Sequence, residues 1–215
     1  MAEVNYSPIK GEVLRLVRLD ECGLPVTGAQ GLIVTDGFIK VDFAPEYEDG
    51  TEFIVKNAKG DLIVNERDPS RLKLIGLTIT MAQVQPATHE MMLGFPIITD
   101  GGEGVGNFFT EDENTTKFGL ELWADVAGQE CIGGQRTYEH LALGWVENAR
   151  LGNSTTENGP ASIEITAQTH RAPNYGDGPF SLLPEAMPAK GHMARYLTTV
   201  APPEPAVGYQ SLVLS

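Results

Sequence analysis

Four histidines, His89, His140, His170 and His192, and two cysteines, Cys22 and Cys131, are the side chains of this chain best suited to nucleophilic or metal chemistry. A zinc site needs ligands at paired spacings such as His-Glu-x-x-His, and none of the six stands in such a pair. A Ser-His-Asp triad is assembled in space, so its order along a chain excludes nothing, yet no serine occupies the Gly-x-Ser-x-Gly elbow that exposes a nucleophile. The glycines at 102, 104 and 106 resemble a phosphate cradle. Their flanks, Ile97 to Asp100 and Asn107-Phe108-Phe109, supply neither the helix nor the lysine that such a loop requires, so a plain flexible loop is expected. Glu111-Asp112-Glu113, with Asp100 and Glu103, offer hard oxygen ligands in a spacing that matches no calcium loop. A solvated acidic face, or one turned towards a partner's basic patch, is the expectation. Asn114-Thr115-Thr116 and Asn153-Ser154-Thr155 match the glycosylation sequon but read as ordinary loop residues, because no secretory leader is seen. No catalytic residue, cofactor or metal ligand is expected, and no enzymatic activity.

The charge balance narrows the class further. Twenty-nine acidic against fifteen basic residues give a net charge of −14, which argues against a fixed nucleic-acid site, since phosphate binding needs clustered Lys and Arg. Transient passage of DNA is compatible with it, because an acidic wall repels phosphate. Met1-Ala2-Glu3-Val4-Asn5-Tyr6 has no basic, apolar leader, and no apolar run approaches the roughly 18 residues of a membrane helix. A soluble protein made in a cytosol is expected, with Cys22 and Cys131 as free, reduced thiols.

The elements follow from period and punctuation. Twenty-four glycines, 14 prolines and 7% aromatics suit short strands and tight turns. Glu12 to Leu19 is a strand apolar on both faces, with Val13, Arg15, Val17 and Leu19 opposite Leu14, Leu16 and Arg18. Such a strand suits a sheet covered on both sides or a subunit contact. Phe38 to Phe43 alternates Ile39, Val41 and Phe43 against Lys40 and Asp42, and Pro45 is expected to end it. Thr51 to Lys56 and Asp61 to Asn65 flank the hairpin loop Asn57-Ala58-Lys59-Gly60. Leu72 to Val84 is a core-crossing strand, and Pro86 to Leu93 is the one helix, opened by Pro86 and stopped at Gly94. Asp100 to Asp125 carries seven acids against Lys117 alone, and to about Thr116 it reads as a long exposed loop. Phe118 to Val126, Thr137 to Glu147 and Ser162 to Thr169 are further strands, with a polar turn at 152–160 between the last two. Phe118, Trp123, Tyr138 and Trp145 fall among apolar neighbours and read as core or interface. The prolines beyond Ala172 exclude long regular elements and leave an arm ending in Leu212-Val213-Leu214.

Over residues 12 to 94 the order of these blocks resembles the major tail tube proteins of long-tailed, siphovirus-type actinobacteriophages. The resemblance rests on the Asp20-Glu21-Cys22-Gly23 turn, Pro25, the Asp36-Gly37-Phe38 strand entry, Gly50, the Asn57 to Asp61 hairpin, Asp68-Pro69, the long strand and the Pro-led helix closing at Gly94. The chain departs from that pattern at Gln85-Pro86, where relatives often carry Asp-Pro, an N-cap worth about 1 kcal/mol. It departs again at Ile63 and Ala82, where relatives carry cysteines near those positions.

The resemblance implies a mainly β fold, a two-sheet sandwich able to form a barrel, with one short flanking helix. It implies a structural virion protein with no cofactor, whose hexameric rings stack into a tube. That tube would hold the tape measure protein, meet tail terminator and distal tail proteins, and conduct DNA during ejection without contact with a membrane. The expected organisation is a β-sandwich over residues 1–183, with an extended loop near 100–116, and a proline-rich arm over 184–215 that packs on the domain or on a neighbour. Phe108 and Phe109, an apolar pair in a polar loop, together with Glu111, Asp112 and Glu113, are the candidate contacts between rings. A capsid decoration protein or a carbohydrate-binding β-sandwich module is the alternative.

Overall fold

The computed structural model describes residues 5–83, 85–128, 131–155 and 162–214. The chain opens with strands β1 (Ser7–Arg18), β2 (Gly28–Thr35) and β3 (Phe38–Glu48), followed by the hairpin β4 (Glu52–Lys56) and β5 (Leu62–Arg67) and by β6 (Arg71–Met81). Helix α1 (Pro86–Leu93) comes next, then β7 (Ile97–Asp100), β8 (Glu103–Asn107), β9 (Phe118–Ala127) and the small pair β10 (Cys131–Ile132) and β11 (Gln135–Arg136). The long β12 (Tyr138–Thr155), β13 (Ser162–Thr169), β14 (Ala194–Thr198) and β15 (Gln210–Leu212) complete it. The fold is mainly β with one short helix.

Nine strands form one antiparallel sheet in the order β15-β2-β1-β9-β12-β13-β6-β3, with β14 paired to the first part of β12. Leu14 and Leu16 of β1, Ile33 of β2, Leu77 and Ile79 of β6 and Met91 and Met92 of α1 share one core. The two wings of the sheet therefore fold over a common interior, sandwich-like, with the helix filling its mouth. The resemblance implied two packed sheets; nine of the described strands instead form one coiled sheet that does not close within the chain, with β15 and β3 at its edges, and β4–β5, β7–β8 and β10–β11 form separate two-stranded pairs.

Alternation along β1 divides its side chains between two cores. Val13 and Val17 pack on the other face with Leu32, Val34 and Leu212, so the strand apolar on both faces is covered on both faces. Burying one such aliphatic side chain is worth about 2 kcal/mol. The outer cover comes from the C-terminal stretch: Ala172, Leu183 and Met187 pack on Ala142 of β12, and β15 pairs with β2. Met187 and Leu212 of this arm thus pack on the body of their own chain, while Val213 and Leu214 remain exposed.

α1 occupies the expected residues. Gln85 precedes it in extended conformation without a side-chain cap, and Gly94 ends it at φ 74° with its N–H on the Glu90 carbonyl at 3.0 Å. Two turns are too few for autonomous stability; burial of Ala87, Thr88, His89, Met91, Met92 and Leu93 holds the helix in place.

Four expectations need correction. β3 continues through Pro45 to Glu48, which an edge strand permits because the missing N–H faces away from the ladder. A bulge between Phe38 and Lys40 moves Phe38 onto the core face beside Val41 and Phe43 and leaves Ile39 exposed. Residues 97–107 form the hairpin β7–β8, turned by Gly101 and Gly102, where a plain loop was expected. β12 runs on to Thr155, which absorbs the first part of the expected turn; 156–160 lie outside the described residues.

Candidate interaction surface

Five large apolar side chains lie exposed together on the arm built on β4 and β5. β3 and β6 pair as far out as Glu48 and Arg71. Beyond them the ribbon continues as the β4–β5 hairpin, its joint drawn tight where the Asp68 N–H bonds the Thr51 carbonyl at 2.9 Å. Gly50 sits at that joint, and a Cβ there would overlap the Asp68 carbonyl. Arg67 and Asp49 pair at 2.8 Å across it.

Phe53, Ile54, Val55, Leu62 and Ile63 are each at least 50% exposed. Val55 faces Val64 across the ladder on one side, and Ile54 faces Asn65 on the other, so neither face of the hairpin is covered. An isolated two-stranded hairpin is marginal in water, and a contiguous apolar patch of this kind marks a protein contact. The tip is pre-formed. Asn57 Oδ1 accepts from the Lys59 and Asp61 N–H groups at 2.9 and 2.8 Å, and its amide donates to Asp61 Oδ2 at 2.8 Å. Lys56 and Lys59 project there, exposed.

The sequence candidates lie elsewhere, on the segment that follows the β7–β8 hairpin. Phe108 and Phe109 are 57% and 65% exposed, and Phe109 meets Phe95 edge-on with ring centroids 4.9 Å apart. Glu111, Asp112 and Glu113 are exposed. Both ends of the segment are clamped to α1. Asn107 donates its amide to the Pro86 and Phe95 carbonyls at 2.9 and 3.0 Å. Asn114 donates to the Met92 and Ala149 carbonyls at 2.9 and 2.8 Å, and Thr116 Oγ1 donates to the Met92 carbonyl at 2.7 Å. Asn114, expected to be an ordinary loop residue, is the anchor that ties this acidic segment to the last turn of α1. The segment borders a cavity of about 1070 Å³ whose floor includes Met91, Leu93 and Phe95 and whose rim carries Glu21, Asp112 and Glu113.

A buried polar cluster, unread in the sequence, lies under the C-terminal cover. Arg15 Nε donates to Glu121 Oε2 at 2.5 Å, and the guanidinium stacks between the rings of Trp123 and Phe180. The Tyr175 hydroxyl reaches Glu121 Oε1 at 3.3 Å. His140 Nδ1 lies 2.5 Å from the Tyr196 hydroxyl, which donates to the Leu182 carbonyl at 2.9 Å. The nitrogen therefore carries the proton. Burial pushes the Glu121 carboxyl up despite the pull of Arg15, and burial followed by the Arg15 charge pushes His140 down to about 3. A carboxylate beside an imidazole is the raw material of acid-base chemistry. Here the two are 3% and 0% exposed, and Tyr175, Phe180 and Tyr196 of the 172–196 stretch contact the cluster. These contacts tie that stretch to the sheet. Of the other histidines, His89 and His192 are buried apart from this cluster and His170 is exposed beside Trp145. Cys22 and Cys131 are exposed free thiols.

No family model matches the sequence, and no curated protein matches it by sequence comparison.

Proposed function

We propose that this protein is a structural subunit that polymerises with copies of itself, a phage tail tube protein whose hexameric rings stack into the conduit for DNA. The exposed apolar arm at Phe53 to Ile63 carries the reading: a chain that builds a rigid, pre-formed hairpin and covers neither face is made to place it against another molecule. The free outer edge of β3 supports it, because an open strand edge is satisfied by pairing with a neighbour. So does the order of sequence blocks over residues 12 to 94. The net charge of −14 per chain suits a wall along which phosphate slides without sticking. The function is then mechanical and non-enzymatic, exercised in the virion tail with the tape measure protein inside and terminator and distal tail proteins at the ends.

Negative-stain electron microscopy and sedimentation at rising concentration, with and without the tape measure protein, test the reading. Rings or tubes are the expected result. A strictly monomeric or trimeric particle in every condition overturns it in favour of a decoration protein or carbohydrate-binding module.

A further inference from the structure

We infer that the tip of the β4–β5 hairpin of one copy seats in the acid-rimmed cavity beside α1 of the next copy, with Lys56 and Lys59 meeting Asp112, Glu113 and Glu21. This deepens the self-assembly reading and rests on it. Hairpin and cavity complement one another in three respects. The first is charge. The two lysines project from the tip, where Asp61 is already engaged by the Asn57 amide. The cavity lining carries five carboxylates, Asp20, Glu21, Asp112, Glu113 and Glu147, against three cations, Arg18, Lys117 and Arg150, so its balance is acidic.

The second is polarity beneath the charge. Behind the lysines the hairpin carries Ile54, Val55, Leu62 and Ile63, each at least 50% exposed. Behind the carboxylates the cavity floor offers Met91, Leu93 and Phe95, with the exposed ring of Phe109 packed on Phe95. Apolar shaft against apolar floor excludes water, which strengthens the lysine-carboxylate contacts at the rim. The third is reach. Five residues of β4 at about 3.3 Å each extend the arm by about 17 Å beyond its joint, and the cavity of about 1070 Å³ is large enough to accept a turn. None of the hairpin's residues lines this cavity in its own chain.

Donor and acceptor are different patches of one surface, so the contact is heterologous. It leaves each copy with one free hairpin and one free cavity and therefore propagates, closing into a ring or extending as a helix. The acidic segment, held in its own chain by the end of α1 and by the Ala149 carbonyl of β12, thereby acquires a cationic counterpart.

Zero-length carbodiimide crosslinking of the assembled wild-type protein, read by mass spectrometry, joins Lys56 or Lys59 of one copy to Asp112, Glu113 or Glu21 of another. Isotopically mixed copies establish that the links run between chains. Lys56→Glu with Lys59→Glu lowers the extent of assembly at least tenfold and leaves the monomer's melting temperature unchanged. Adding Asp112→Lys with Glu113→Lys restores assembly. Wild-type assembly that persists in the lysine variant, or crosslinks that place the tip on another surface of the neighbour or on a different protein, overturns the tip-to-cavity pairing and leaves self-assembly standing. A wild-type chain that never assembles overturns both.

Discussion

Arg15 and Glu121, 106 residues apart in the chain, sit directly opposite one another on β1 and β9 with Nε 2.5 Å from Oε2 and side chains 8% and 3% exposed. An ion pair so enclosed contributes little net stability, because desolvation offsets most of the attraction, but losing one partner strands the other charge. Glu121→Ala is therefore expected to cost about 3–5 kcal/mol, and Arg15→Met with Glu121→Leu to recover most of that loss. Urea denaturation of both variants measures it; a single variant as stable as the wild type contradicts the enclosure.

Stability should fall in mild acid, and His140 supplies a defined share. Its folded value is about 3 against an ordinary 6.5, so between those limits the unfolded chain binds a proton that the folded chain refuses. The contribution is present in full above 6.5 and declines by about 1.4 kcal/mol per pH unit as pH falls towards 3. His89 and His192, also pushed down by burial, act in the same sense. Glu121, pushed up, acts in the opposite one. His140→Gln is expected to flatten the slope measured by denaturation between pH 6.5 and 4.5.

Asn114→Ala should destabilise the protein by about 1–3 kcal/mol, the usual worth of two hydrogen bonds, although the Met92 carbonyl keeps Thr116 Oγ1 as a donor. It removes both bonds to Met92 and Ala149. Hydrogen exchange should rise selectively in residues 108–117 and in the last turn of α1. Unchanged protection there means that the segment is held by other contacts.

The two phenylalanines should behave differently. Phe109→Ser loses the edge-on contact with Phe95, an arrangement worth about 0.5–1.5 kcal/mol. Phe108→Ser, with no such ring partner among the described residues, should stay within about 0.5 kcal/mol of the wild type. Both should weaken assembly in sedimentation runs. Normal assembly by the double variant removes Phe108 and Phe109 from the contact.

Replacing Ile54 and Ile63 with serine tests the arm in the same assay. Both are more than half exposed, so the monomer should lose no more than about 0.5 kcal/mol, while assembly falls sharply. A large loss of monomer stability would mean that the hairpin is part of the intramolecular core.

Period and punctuation were enough for most elements. Alternation places Ile75, Leu77, Ile79 and Met81 inward along β6, and Pro86 and Gly94 bound α1, because these signals depend on residues within a turn of one another. The ends of β3 and β12 were lost for the same reason in reverse. Pro45 and the polar run from Gly152 look like stops locally, and the position of each strand within the sheet decides otherwise.

The candidate surface was legible in part. The acidic run and the Phe108-Phe109 pair stand out by composition alone, whereas Asn114 looks like any loop asparagine until the end of α1 is brought against it. Phe53-Ile54-Val55 reads the same whether covered or bare. Its exposure follows from where β3 and β6 leave the body, which no stretch of five residues encodes. Local chemistry determined the strands, the helix and the hairpin turn of this protein. The tertiary structure alone decided which apolar faces found cover, and it alone joined Arg15, Glu121 and His140, since burial and long-range contact depend on how the whole sheet coils.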